Sequence, residues 1–356
     1  MPSKRFEEIV YLRGLGILFV VMIHVSAFLV KVKEFNMLAF TLVLVNSFSQ
    51  PALALFVFIS GFVLKKNYDR GYSLWSYYKK RIMSVIPPYV LFSIVYTLYY
   101  QRAFNLRLLL QNLLIWDEYA YHMWFIPMLF MLYLFYPLVV DLYNKFKQRN
   151  HVSKLLAGFL IIHLVLNTYF YTQSQTTFYP GILAFEFFLL YFVFGIYAGD
   201  NYHAIKEHLM EIKTSLLLLV SCTFTFVYSI PTIIALKAGY TFYQIPTYYR
   251  LGNIFLEPIY YIIVFALFLN VSNILLEKKS LLVKAVKNTG QLSYGIYLVH
   301  VLMLSLAEKK LLLSGLEYNS WIVYPLLYIA TILSAYAIVK IISSIPYGEY
   351  LVGRER

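Results

Sequence analysis

Long apolar runs separated by short polar segments recur along the whole chain. They fall at about 9–30, 39–64, 84–101, 122–142, 154–172, 183–200, 214–236, 253–271, 291–312 and 320–345. Each matches or exceeds the roughly 17 residues that a helix needs to cross a hydrocarbon core about 30 Å thick. The apolar–polar alternation over about ten residues that marks a transmembrane β-strand is not seen. The pattern predicts an all-α fold class: a polytopic integral membrane protein of about ten transmembrane helices. A single transmembrane domain is expected over residues 1–356, with no separate soluble domain. No small-residue cleavage site follows the first run, so it reads as a retained helix.

Charge adds an orientation to this pattern. The segments KKNYDRGYSLWSYYKKR, NKFKQRNHVSK, DNYHAIKEHLMEIK and LEKKSLLVKAVK alternate with loops that carry only Lys31, Lys33, Arg102, Arg107, Lys237, Arg250, Lys309 and Lys310. Because basic loops stay cytoplasmic, the chain is expected to be N-in and C-in. The net charge of +13 then lies mostly against an anionic inner leaflet, and nucleic-acid binding is not suggested. The segment YSLWSYYKKRI is expected to lie along the inner surface, with Pro87 and Pro88 opening the third span where a missing donor costs least. Composition agrees: 61% of residues are hydrophobic and 13% charged, too apolar for a soluble surface. The lone Cys222 excludes an intramolecular disulfide and a cysteine-based metal site, and is expected to be buried in the seventh span.

Ionisable groups inside spans are costly, so they are the natural candidates for chemistry. Arg13 and His24 bracket ten nearly apolar residues in YLRGLGILFVVMIHV. Eleven residues make about three helical turns, so both lie on one helix face with about 16 Å of rise between them. Arg13 falls near the cytoplasmic end, where a snorkelling anchor is the competing reading. In QLSYGIYLVH, Ser293, Tyr297 and His300 share a face by their spacing of four and three. A packing hydrogen bond is the competing role for His300, and a structural role is expected for His163. Ser60 and Gly61 stand near the inner end of the second span, where small residues favour close helix packing. Lys79, Lys80 and Arg81 precede the third span and form a candidate phosphate clamp. On the outer side, His122 and Trp124 begin the fourth span at the interface, and Glu186 and Glu257 offer carboxylates suited to sugar hydroxyls or to pairing with Arg250.

Taken together, YLRGLGILFVVMIH, FVFISGFVL, KKRIMSVIPPYV, MWFIPMLFMLYLFYP, YFVFGIYAG and QLSYGIYLVH resemble, in order, the motifs of bacterial membrane acyltransferase family 3. This family includes envelope-polysaccharide and exopolysaccharide O-acyltransferases. The resemblance covers essentially the whole chain. It implies that Arg13 and His24 are the functional pair. A second arginine often stands three residues beyond the position of Arg81; here that residue is Ser84, which shifts weight to Lys79, Lys80 and Arg81. No hydrolase-like domain is attached, so any acyl relay is expected to finish in the membrane domain or on a separate protein.

The resemblance implies an acyltransferase for groups other than amino-acyl groups, in a bacterial plasma membrane. The expected donor is a cytosolic acyl-CoA, with acetyl-CoA foremost, and the acceptor is an envelope glycan or glycolipid. No permanently bound cofactor or metal is expected; the bilayer and a glycan synthase complex complete the candidate partners. Arg13, Ser60, Lys79, Lys80 and Arg81 are the expected donor-binding residues, and His122, Trp124, Glu186 and Glu257 the acceptor-binding ones. His24 is the expected base, or transient acyl carrier, with His300 or Tyr297 orienting it or donating to the oxyanion. The distance from Arg13 to His24 is comparable to an extended pantetheine arm. Two rivals are an exporter or flippase and a non-catalytic partner of a glycan synthase.

Overall fold

The computed structural model describes residues 6–32, 34–68, 72–101, 120–173, 185–242, 245–278 and 280–353, and among them all regular structure is helical. The order is α1 (Glu7–Ser26), a 3-10 turn (Ala27–Lys31), α2 (Met37–Ser49), α3 (Pro51–Asn67), α4 (Leu74–Gln101) and a second 3-10 turn (Tyr121–Trp124). Then follow α5 (Phe125–Gln148), α6 (Val152–Gln173), α7 (Phe185–Asp200), α8 (Tyr202–Glu211), α9 (Thr214–Lys237) and α10 (Thr247–Glu277). The chain finishes with α11 (Leu281–Gln291), α12 (Ser293–Leu313), α13 (Val323–Ser344) and the short α14 (Gly348–Val352). Local signals account for several boundaries. Asn36 caps α2 by accepting from the Ala39 N–H, Ser280 caps α11 through Val283, and Pro51 opens α3.

Eight helical segments among the described residues are long and apolar enough to cross a membrane. The sequence predicts about ten. The sixth expected span is α7, whose 16 described residues rise only about 24 Å. The ninth is α12, where the apolar stretch ends at Glu308, Lys309 and Lys310. Outward faces carry the apolar residues that lipid requires, as at Ile161 and Val165 on α6 or Leu333 and Ile341 on α13.

Two sequence readings are corrected. The third span starts at Leu74, so Pro87 and Pro88 lie inside α4 and do not open it. Its first turns are held to α5, because Tyr77 is fully buried and its O–H donates to the Tyr133 carbonyl at 2.7 Å. Cys222 is exposed, on the outward face of α9 with Leu218, Leu219 and Phe226. An apolar run alone does not say which of its faces turns to lipid.

Two pairs of glycines set close, reciprocal helix approaches. A Cβ on Gly61 of α3 would stand 2.1 Å from the Phe192 carbonyl oxygen, and one on Gly195 of α7 would stand 2.0 Å from that of Phe58. The same reciprocity joins α1 to α11: a Cβ on Gly14 would stand 2.1 Å from the Val286 carbonyl oxygen, and one on Gly290 would stand 2.0 Å from that of Val10. In a membrane, where burying apolar surface gives little driving force between helices, such backbone contact is the main attraction. At one end of α3, buried Lys65 donates to Asn144 at 3.1 Å and lies 4.0 Å from Asp200, which also takes Lys147 and the Tyr143 O–H. This ties α3, α5 and α7 together and leaves the next residue, Lys66, for another surface.

Candidate active site

A cavity of about 1190 Å³ runs between α1, α3, α4, α5 and α12. Among its described lining residues, Arg13, Lys66, Lys80 and Arg81 supply four cations against one carboxylate, Glu349. Excess positive charge beside a low-dielectric wall attracts anions strongly. Arg81 is buried, with its guanidinium over the Tyr133 ring at 5.6 Å. The Tyr133 hydroxyl in turn bonds Ser60 Oγ at 3.2 Å, while Ser60 donates back to the Phe56 carbonyl. Among the described residues no ion pair or hydrogen bond engages Arg13, so its donors are available to a ligand.

Farther along the wall, Tyr297 lines the same cavity and borders a cluster of three histidines. The ring centres of His24 and His300 are 4.9 Å apart, those of His122 and His300 5.1 Å, and those of His24 and His122 6.3 Å. His122 and His300 are buried and His24 is half-buried. Each ring has a different anchor. His24 Nδ1 bonds the Tyr121 hydroxyl at 3.0 Å. His300 Nδ1 reaches the Tyr297 carbonyl at 2.6 Å. A carbonyl only accepts, so this contact places a proton on Nδ1 and, in the neutral ring, leaves Nε2 as the acceptor. Tyr297 also donates its O–H to the His122 carbonyl. From α2, Asn46 donates to the Ile23 carbonyl at 3.1 Å and to Ser26 Oγ at 2.9 Å, which fixes α1 on both sides of His24. Among the described residues no group of three or more His, Cys, Asp or Glu side chains is arranged to hold a metal ion.

The cationic cavity and the histidine cluster meet a finding from sequence comparison. A family model described as an acyltransferase domain matches residues 6–340. The chain belongs to the acyltransferase 3 family. No curated protein and no solved structure matches it. The protein is therefore a membrane acyltransferase, and the family match contains both the cavity's cations and all three histidines. Glu349 and Gly353, which also line the cavity, come from α14 and its cap, beyond the matched residues.

Within this acyltransferase, the expected donor-binding residues separate. Arg13, Ser60, Lys80 and Arg81 line the cavity, whereas Lys79 is exposed and is absent from the described lining. Successive residues turn by about 100° on a helix, so three adjacent cations cannot all face one cavity. Lys66, from α3, also lines the cavity. Ser84 lines the cavity and donates to the Arg81 carbonyl at 3.2 Å.

The expected acceptor-binding residues separate as well. His122 is buried in the histidine cluster and not displayed at an interface. Trp124 is half-buried, with its ring 5.9 Å from that of Phe188. Glu186 stands half-buried in the first turn of α7. Glu257 accepts from the Tyr191 hydroxyl at 3.0 Å, in a separate cluster with Tyr261. His163, read as structural, contacts the Tyr191 ring edge-on and pairs with Asn167 on its own helix. The sequence analysis did not single out Lys66, Tyr121, Tyr96 or Glu349. Tyr121 sits one residue before His122, and its aromatic neighbours in EYAYHMW could have marked it.

Proposed function

We propose that this acyltransferase moves an acyl group, acetyl foremost, from a cytosolic acyl-CoA to a hydroxyl of an extracytoplasmic polysaccharide or glycolipid in a bacterial plasma membrane. One observation carries the reading: α1 places Arg13 in a cation-lined cavity and His24 in a histidine cluster, and Tyr297 belongs to both. A polyphosphate donor suits the first place and a proton transfer the second. Arg13, Lys66, Lys80 and Arg81 would hold the donor's phosphates, with the thioester arm extending along α1 toward His24.

In the reaction, His24 takes the proton of the acceptor hydroxyl as its oxygen attacks the thioester carbonyl carbon. The C–S bond breaks, the CoA thiolate leaves, and the proton on His24 passes to the sulfur, giving an ester and free CoA thiol. Tyr297 positions and does not donate, because its O–H is committed to the His122 carbonyl and its own carbonyl to His300. Neutral His300 offers an acceptor at Nε2. Among the described residues that buried atom has no partner, an arrangement that costs about 1–3 kcal/mol unless a substrate completes it.

Donor binding gives the first test. Arg13→Ala is expected to raise the apparent KM for acetyl-CoA by about 10- to 100-fold, the worth of a charge-assisted contact of roughly 1.5–3 kcal/mol. Arg13→Lys should retain part of the affinity because charge survives while the planar fork is lost. Unchanged donor affinity in Arg13→Ala would return this arginine to the role of a membrane anchor.

Sidedness gives the second. With both termini inside, a cysteine introduced at Ser73 should react with impermeant thiol reagents only after cells are opened, and one at Ser314 should react in intact cells. Both positions are exposed ends of helices, and Cys222 can be replaced by alanine to remove background. Reversed labelling would put the cationic cavity on the wrong face for a cytosolic donor.

A further inference from the structure

We propose that Tyr96 is a positioning residue for acyl transfer: its hydroxyl bonds two backbone groups of α12 and sets the geometry of His300 and His122. The inference rests on the histidine cluster being the place of transfer.

Tyr96 is fully buried in α4, and its hydroxyl donates to the Leu298 carbonyl at 3.1 Å and accepts from the Leu302 N–H at 3.0 Å. In an uninterrupted α-helix those two backbone groups bond each other. Here a hydroxyl from about 200 residues away bonds both groups at once, and side chains that engage the ladder of a helix are a recognised cause of local distortion. His300 is the residue midway between Leu298 and Leu302. Its Nδ1 turns back on the Tyr297 carbonyl one step earlier in the same turn. The Tyr96 ring also packs edge-on against His122, with centres 5.1 Å apart, and stacks on Tyr100 at 6.3 Å. One tyrosine thus touches the backbone on both sides of one histidine and the ring of another.

A hydroxyl can donate and accept at once, which phenylalanine cannot do. If the hydroxyl is removed, the Leu298 carbonyl and Leu302 N–H can bond each other, so α12 keeps its hydrogen bonds and the fold survives. What changes is the local path of α12, and with it the aim of the His300 ring. Displacements of about 1 Å at a reacting centre cost rate far more than they cost binding. The donor's phosphates are held at the other end of the cavity and should not register the change.

The experiment compares wild type, Tyr96→Phe, His24→Ala and His300→Ala, purified in detergent and returned to membrane vesicles. Transfer is read from radiolabelled acetyl-, propionyl- and succinyl-CoA into the vesicle glycan and lipid. For Tyr96→Phe the expected result is a fall in kcat of about 10- to 50-fold, a KM for the acyl-CoA within twofold, and a melting temperature within a few degrees. A merely structural role would lower the melting temperature and the yield, and leave kcat per folded molecule near wild type. Placing 2,3,5-trifluorotyrosine at position 96 keeps ring and hydroxyl but weakens the acceptor, and should give an intermediate kcat even if Tyr96→Phe is not recovered. Wild-type kcat in either protein, with His24→Ala and His300→Ala inactive, overturns the role of Tyr96 while leaving the proposed site standing. Full activity in the two histidine variants, or no transfer by wild type from any donor, overturns the reading on which it rests.

Discussion

Replacing His24 with alanine is expected to lower acyl transfer by about 10²- to 10⁴-fold, the range that a positioned general base supplies. The protein itself should survive. His24 is half-buried at the end of α1, and among the described residues its polar contact is one bond to the Tyr121 hydroxyl, worth roughly 1 kcal/mol. The elements that hold α1 in place do not pass through the imidazole: Asn46 grips the Ile23 carbonyl and Ser26, and Tyr328 donates to the Leu18 carbonyl at 3.2 Å. Removing an ionisable ring from a span also relieves a cost of membrane insertion. Activity and stability should therefore part company. Transfer per folded molecule, measured beside a melting curve in detergent, checks this; a well-folded His24→Ala enzyme with wild-type turnover would remove His24 from the mechanism.

A large structural effect is expected at Gly61. A Cβ there would lie 2.1 Å from the Phe192 carbonyl oxygen and 3.2 Å from the Ile196 backbone nitrogen, so no side-chain rotation can relieve the clash. Gly195 presses in the same way on Phe58, which means α3 and α7 would have to part along their whole shared face. Overpacking that side chains can absorb already costs about 1–3 kcal/mol, and backbone against backbone lies at or above the top of that range. Gly61→Ala should greatly reduce the folded protein recovered. Gly252→Ala is the control, since nothing lies within 4 Å of its added Cβ and alanine favours a helix by up to about 1 kcal/mol. Equal melting temperatures for the two variants would show that α3 and α7 do not depend on that contact.

Much of the architecture was readable because spanning a bilayer imposes a simple rule on the chain, a long apolar run per crossing. The same rule misses interior detail. It placed the prolines of α4 at a helix start because residues 74–83 are polar enough to suggest a surface segment, whereas Tyr77 and Arg81 are buried against α5. Among the described residues eight of the ten expected spans are long and apolar enough on their own, since only 16 residues of α7 are described and the apolar stretch of α12 ends at three charges.

For the site, Arg13 and His24 could be paired from sequence because one helix carries both and its period fixes their faces. His122 could not. Its inward direction comes from the 3-10 turn Tyr121–Trp124, and a segment rich in aromatic residues at a span's edge looks instead like an interfacial belt. Lys66 and Tyr96 were hidden for a different reason. Each acts on a helix far away in sequence, and periodicity along one segment carries no information about its partner.

The central claim is that donor and acceptor meet at His24 from opposite faces of the membrane. The direct measurement uses sealed vesicles of known orientation that contain the native glycan and lipid acceptors, with radiolabelled acetyl-CoA added to one side at a time. The account predicts label in the acceptor fraction only when acetyl-CoA is supplied on the face that bears Arg13 and Lys80, and none with His24→Ala. Equal incorporation from either face, or undiminished incorporation by His24→Ala, would contradict it.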